Sequence, residues 1–217
     1  MSVPAGAVGV EGDLRLPSQP RGLVIVPHGS GASRFSRRSR RLAARLGGYR
    51  FATLLLDLLT ADEAAIDVYT GEFRADSSRL GPRAVAGVDW VKRRPDLARL
   101  AVGLLAVDAG VPAALVAAAE RPRDVAALVA QVSQPSSIAA AIERVKAPTL
   151  LIVAEGHAAA PGPAPAVPVR RQGPVEVATL RGASPPGAGH TVQDRVADLA
   201  AAWFDRHLAH QRRGPAP

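Results

Sequence analysis

The chain has 217 residues, of which 47% are hydrophobic and only 4% aromatic, and it carries a formal net charge of +8 at pH 7. This length fits one α/β domain, which we place at residues 1–210, and we expect residues 211–217 to form a disordered tail. The absence of cysteine excludes disulfides, thiol catalysis and cysteine-ligated zinc. No apolar run is long enough to span a membrane and the N-terminus lacks a signal-peptide pattern, so we expect a cytoplasmic protein without a membrane partner.

Much of the positive charge lies in residues 34–45, RFSRRSRRLAAR. A basic helix face of this kind could bind phosphates. However, the stretch has no nucleic-acid motif and no regular interleaving of aromatic residues for base stacking. We therefore favour a solvated face, and we expect a small-molecule ligand or substrate rather than nucleic acid.

Apolar runs alternate with stretches of helical periodicity along the whole chain. The predicted strands cover 8–16, which alternates like an outer strand, and then 22–27, 50–56, 100–105, 125–132, 149–153 and 175–180. The predicted helices cover 36–46, with Ser36 as N-cap, then 77–93, the alanine-rich stretch after residue 110, 136–145 and 192–208. Proline-rich loops are predicted at 158–173 and 182–189, and a polar insert at 69–76. This alternation predicts an α/β fold, a doubly wound and mostly parallel sheet of about seven or eight strands with helices on both faces.

The turn after the strand at 100–105 has the sequence Ala106-Val107-Asp108-Ala109-Gly110. Small residues around one polar residue, between a buried strand and a helix, are typical of a nucleophile elbow. In such a turn backbone packs against backbone, which restricts side-chain size at the flanking positions. Alternatively, Asp108 simply caps the following helix, since aspartate accepts hydrogen bonds from the free N–H groups of a first turn.

With these elements in order, residues 8–208 resemble the α/β-hydrolase superfamily, and within it the small, cap-less proteins similar to dienelactone hydrolase. The resemblance rests on HGSGASRFS, LLLDLLTADE, YTGEFRAD, the elbow with LVAAAERP behind it, APTLLIV and LAAAWFDRHL. It implies the α/β-hydrolase fold and a catalytic triad in the chain order nucleophile, acid, histidine, at the ends of successive strands.

The triad positions that the resemblance implies depart from the family pattern. Asp108 stands at the nucleophile position. The acid position follows the strand at 149–153, where the chain has Glu155 and then His157. The histidine position follows the strand at 175–180, where the chain has Pro185, and His190 is the nearby histidine.

The resemblance also implies an oxyanion-binding pocket beside the elbow. Its candidate residues are His28, Gly29 and Ser30 of the glycine loop, and Ala109 after the nucleophile position. Asp57 ends a strand at the edge where open α/β sheets bind ligands, although it could instead cap the next segment.

Glu63 is a further acidic residue near this edge of the sheet in the predicted fold. It could join Asp57 in ordering the mouth of the pocket, although we favour a solvated charge.

The chemistry of a carboxylate decides which activity we predict. A carboxylate attacks esters poorly, because the anhydride that forms reverts more readily than it proceeds. The resemblance extends to haloalkane dehalogenases and epoxide hydrolases, whose elbows carry aspartate, but those enzymes use a helical cap that has no counterpart in this chain. We predict a hydrolase scaffold impaired in ester hydrolysis, with no cofactor or metal. Two alternatives stay open: an active hydrolase of a small ester, lactone or activated carbon using Asp108 and His190, and a non-catalytic ligand-binding or regulatory scaffold.

Overall fold

A computed structural model describes residues 1–29, 33–74, 76–133, 135–154, 172–180 and 191–208. Within these residues eight strands form one sheet. The strands are β1 (Ser2–Ala5), β2 (Val8–Arg15), β3 (Leu23–His28), β4 (Ala52–Asp57), β5 (Val102–Val107), β6 (Val125–Val132), β7 (Thr149–Ala154) and β8 (Val175–Leu180). Their order is β1-β2-β4-β3-β5-β6-β7-β8. Strand β2 pairs antiparallel with both β1 and β4, and all other neighbours pair parallel. The predicted mostly parallel α/β sheet is confirmed.

The helices cover both faces of the sheet, as predicted. They are α1 (Arg37–Gly48), α2 (Ala61–Thr70), α3 (Ser77–Arg93), α4 (Val111–Glu120), α5 (Ala139–Ile142) and α6 (Val192–Leu208), with 3₁₀ turns at Asp108–Gly110 and Pro135–Ile138. Alternate residues of each strand point to opposite faces, so Leu23 and Ile25 pack in one core with α3 and α4. Val24 and Val26 pack in the second core with α1 and α6. None of the described helices is long and apolar enough to cross a membrane.

Several predicted bounds agree with the structure. The strands at 125–132 and 175–180 and the helices at 77–93 and 192–208 have the predicted ends. Ser36 is the N-cap of α1, and its Oγ accepts the Ser39 N–H at 3.1 Å. On α6 the apolar residues Val196, Ala200, Trp203 and Leu208 are buried, and Leu199 is half-buried.

Other predicted elements need correction. Strand β1 and helix α2 were not predicted, and the helix at 136–145 is a 3₁₀ turn followed by the short α5. Helix α2 shows no apolar stripe because Asp67 is its one buried residue, whereas Ile66 and Val68 are exposed. The polar insert after α2 folds around the Asp67 carboxylate, which accepts the backbone N–H groups of Phe73 and Arg74.

The predicted loops and tail lie largely outside the described residues. These segments are 158–173, of which only residues 172 and 173 are described, 182–189, and the tail at 211–217.

The close approach of the elbow to β3 predicts a large difference between two glycine substitutions. A Cβ on Gly110 would lie 2.3 Å from the backbone oxygen of Pro27, whereas a Cβ on Gly47 in α1 would meet nothing within 4 Å. We expect Gly110→Ala to lower the free energy of unfolding by about 2 kcal/mol or more, because backbone cannot move aside as a side chain can. The matched control, Gly47→Ala, should raise it by about 0.5–1 kcal/mol through helix propensity. Urea unfolding measures both, and equal stability of the two variants would contradict this packing.

Candidate active site

Asp108 lies directly after β5, on the turn that leads into α4. Its backbone has φ +46°, a left-handed conformation that is uncommon for a residue with a side chain and that aspartate tolerates better than most. The N-cap of α4 is Gly110, and no side chain caps this helix or the 3₁₀ turn before it. The alternative that Asp108 caps the helix is therefore wrong. The strained turn instead presents the exposed Asp108 side chain at the carboxyl edge of the sheet.

The loop after β3 packs directly against this elbow. A Cβ on Gly29 would lie 3.1 Å from both the Cβ and the backbone oxygen of Ala109. The structure thus brings Gly29 together with Ala109, two of the residues predicted for the oxyanion pocket. Ser30, the third loop residue of that prediction, lies outside the described residues.

His28 ends β3 and is buried, with 8% of its surface exposed. Its backbone oxygen accepts the Leu58 N–H at 2.8 Å, and its Nε2 atom has no hydrogen-bond partner among the described residues. Burial, helped by the positive charge of Arg38, lowers the pKa of His28 to about 4. The ring is therefore neutral at pH 7.

Among the described residues, two cavities are lined by Asp108 of the elbow, and another adjoins one of these at Gly29. The elbow cavity, of about 250 Å³, lies between β3, α1 and the turn, and it is lined by Val26, His28, Gly29, Arg38, Ser39, Leu42, Val107, Asp108, Ala109 and Gly110. A second cavity, of about 460 Å³, shares Gly29 with it and extends towards α2. A third, of about 290 Å³, shares Asp108 with it and extends towards the residues after β6. Asp108 and Gly29 thus lie where a small molecule could contact the elbow.

Ser133 is a neighbour of the elbow that the sequence analysis missed. Its Oγ donates a hydrogen bond to Asp108 Oδ1 at 3.3 Å, and both residues line the third cavity. The position of Ser133 directly after β6 was a usable signal, because the carboxyl ends of neighbouring parallel strands lie at the same edge. Ser133 thus contacts one oxygen of the Asp108 carboxylate.

Asp57 ends β4 and lines the second cavity. Its carboxylate accepts the backbone N–H of Arg34 at 2.8 Å and the Arg34 guanidinium at 2.5 Å. Burial raises the pKa of Asp57, and these contacts with Arg34 offset part of the rise. The alternative that Asp57 caps the next segment is wrong, because Thr60 caps α2.

Glu63 belongs to the packing between α2 and α3. It accepts hydrogen bonds from Arg83 and Arg79, and its carboxylate completes the capping box with Thr60. The hydrogen bonds of Arg83 lead the effects that lower the pKa of Glu63 to about 2. The expectation that Glu63 is simply a solvated charge is therefore wrong.

The basic stretch at 34–45 is partly neutralised by the fold. Three of its arginines pair with carboxylates from other elements: Arg34 with Asp57, Arg41 with Asp194 and Arg45 with Asp198. Arg41 and Arg45 join α1 to α6, where Asp194 is buried and also accepts the Thr191 N–H. These three guanidinium groups thus have structural partners within the chain.

The remaining triad candidates, Glu155, His157 and His190, lie outside the described residues. The strands before them are described. Parallel strands β7 and β8 end at Ala154 and Leu180, at the same edge of the sheet as β5. The contributions of Glu155 and His190 to the site stay predictions. Among the described residues, no three histidine or acidic side chains are placed to hold a metal ion.

The sequence and the fold can now be compared with known proteins. The chain is 37% identical to a dienelactone hydrolase from Anabaena variabilis, whose structure superposes with a TM-score of 0.80 over 96% of each chain. The chain belongs to the dienelactone hydrolase family of α/β-hydrolases. The esterase Est1E from Butyrivibrio proteoclasticus, at 13% identity and a TM-score of 0.68 over 94% of this chain and 98% of its own, shares the fold.

The chain also matches part of a longer protein. In an alignment 233 positions long, the chain is 36% identical to a Mycobacterium tuberculosis protein named as a candidate phosphoribosyl transferase. The alignment covers 100% of this chain and 47% of that protein, so the chain spans about half the length of the curated relatives it matches. No family model matches the chain.

Because His28 is buried and neutral, we expect the stability of the protein to depend on pH. The pKa of His28 is about 4 in the folded protein and about 6.5 in the unfolded chain, so the unfolded chain binds more protons between these values. We expect the free energy of unfolding to fall by about 2 kcal/mol between pH 7.5 and pH 5, before most carboxylates protonate. The variant His28→Gln should be less stable overall but should lack this fall. Urea unfolding across this range measures both proteins, and parallel pH profiles would contradict the prediction.

Proposed function

We propose that this protein is a dienelactone-hydrolase-like scaffold that binds a small molecule at the elbow and hydrolyses ordinary esters slowly or not at all. The observation that carries the proposal is the Asp108 carboxylate at φ +46°, on a turn packed against the loop after β3. A left-handed residue between a buried strand and a helix is typical of a nucleophile elbow, and this supports the proposal that an acid stands where the attacking hydroxyl would be presented.

The chemistry of ester hydrolysis explains why a carboxylate in place of a hydroxyl nucleophile matters. A hydroxyl nucleophile gives its proton to a histidine, attacks the carbonyl carbon and forms an acyl-enzyme that water then cleaves. An ionised carboxylate has no proton to give, and its attack yields an anhydride from which the expelled alkoxide readily returns. A histidine beside such a carboxylate has no hydroxyl at the elbow to deprotonate, so the acyl-enzyme route is closed.

The pocket itself supports binding. Gly29 and Ala109 place backbone next to the elbow, and the three cavities around Asp108 and Gly29 offer mostly apolar walls with a few polar groups. This combination is typical of small-molecule sites. Binding without rapid turnover follows from a site that keeps its shape and lacks its attacking group.

A second candidate function is hydrolysis at a saturated carbon, with Asp108 as the nucleophile. The hydrogen bond from Ser133 favours it, because it engages Oδ1 of the exposed carboxylate and leaves Oδ2 available for in-line attack. In that reaction an Asp108 oxygen would bond to the carbon of an epoxide or alkyl halide as the carbon–oxygen or carbon–halogen bond breaks. Water would then cleave the resulting ester and restore the carboxylate.

We do not extend the transferase activity in the name of the mycobacterial relative to this chain, because the chain corresponds to about half of that protein. We also retain the expectation that nucleic acid is not the partner. The pairing of Arg34, Arg41 and Arg45 with carboxylates supports it.

Hydrolysis of p-nitrophenyl acetate by the wild-type protein, Asp108→Ala and Asp108→Ser tests the proposal. We expect the wild-type protein and Asp108→Ala to turn over within about twofold of each other and near background, because the carboxylate contributes no productive attack. Asp108→Ser is expected to stay near background or to be the one variant that gains activity. A gain would show that the remaining machinery is in place. Asp62→Ser, which changes an exposed acid of α2 outside the three cavities, is the matched control.

Rapid turnover by the wild-type protein that Asp108→Ala abolishes would overturn the proposal. Asp108 would then be a working nucleophile or base.

A further inference from the structure

We propose that Arg38 is the anion-binding residue of the elbow cavity and that the small molecule carries a carboxylate or phosphate group that its guanidinium receives. The inference deepens the proposed function, because it rests on the binding of a small molecule at the elbow. It names the chemical class of that molecule and a residue that the triad and the oxyanion loop do not include.

The position of Arg38 is the first observation. Arg38 lies in the first turn of α1, and it lines the same cavity of about 250 Å³ as Asp108 and Gly29. The aliphatic walls of this cavity come from Val26, Leu42 and Val107. A ligand that enters the cavity therefore meets apolar side chains, the Asp108 carboxylate and one guanidinium.

The second observation is that Arg38, which lines the cavity, lacks a carboxylate partner among the described residues, unlike three other arginines of the basic stretch. Arg34, Arg41 and Arg45 each pair with an aspartate. Among the residues that the structure describes, Arg38 has no ion pair, and its hydrogen bond to Gln131 Oε1 is long, at 3.4 Å. A guanidinium offers five N–H donors arranged to match a carboxylate or phosphate, so most of its capacity is available to a ligand.

His28 supplies the third observation, on the inner wall of the same cavity. Its buried Nε2 atom has no partner among the described residues, and such an atom usually marks a place where water or a ligand group completes the hydrogen bonding. Because the ring is neutral at pH 7, it adds no charge, and Arg38 is the cationic group among the described residues that line this cavity.

Asp108 decides where the anion can lie. Its carboxylate lines the same cavity and repels an anion placed directly over the elbow. The anionic group therefore lies on the α1 side against Arg38, and the rest of the molecule extends towards Asp108. This arrangement predicts opposite effects from neutralising the two charges.

Calorimetric titration at low salt with phenylphosphonate, benzoate and neutral benzamide tests the inference. We expect the wild-type protein to bind at least one anion more tightly than benzamide, and Arg38→Gln to weaken that binding by about tenfold or more. Asp108→Asn should tighten it, because the repulsion is removed. Arg37→Gln is the matched control. It removes an adjacent exposed arginine that lines none of the three cavities, and it should change the affinity by no more than about twofold.

Each outcome decides the question. Stronger binding of phenylphosphonate or of benzoate identifies the preferred anion as phosphate-like or carboxylate-like. The inference is overturned if the wild-type protein binds neither anion, if benzamide binds as tightly, if Arg38→Gln has no effect, or if Arg37→Gln causes an equal loss. Because these probes report binding alone, their failure is distinguishable from failure of the proposed function, which the ester assay decides.

Discussion

The candidate site depends on the contact between the backbone of Gly110 and the backbone oxygen of Pro27. This approach leaves no space for a side chain at residue 110, and it joins the start of α4 to the end of β3. It places the strained residue Asp108 beside Gly29, at the edge of the sheet where parallel strands end. The elbow cavity depends on this contact, because its walls include the end of β3 and the turn before α4.

Electrostatic pairing completes the surroundings of the elbow. Arginines of the basic stretch connect elements that are far apart in sequence, as Arg41 does with the buried Asp194 on α6. Such pairs with a buried carboxylate are costly to break, since removal of one partner leaves an uncompensated charge. Arg38 and Asp108 differ from these structural pairs because both line the elbow cavity. The paired arginines stabilise the fold, whereas Arg38 and Asp108 face the space that a ligand would occupy.

The sequence was sufficient to predict most of the fold and only part of the site. Buried strands and amphipathic helices carry their own patterns, so the sheet and the elbow turn at Asp108 were predictable from residue types. Helix α2 was not, because its buried residue is the charged Asp67 rather than an apolar stripe. Tertiary contacts such as Ser133 with Asp108, or Asp57 with Arg34, leave no periodic signal, because they depend on the pairing of strands and loops distant in sequence.

The most direct test of the central claim is the intact mass of the wild-type protein after incubation in heavy-oxygen water with a reactive ester, an epoxide and an alkyl halide. A carboxylate that forms a covalent intermediate either retains the adduct or acquires heavy oxygen when water cleaves it. Our account predicts an unchanged mass, because Asp108 occupies the nucleophile position of the elbow without forming a covalent intermediate. A mass increase that maps to Asp108 and disappears in Asp108→Asn would contradict it and assign nucleophilic catalysis to the elbow.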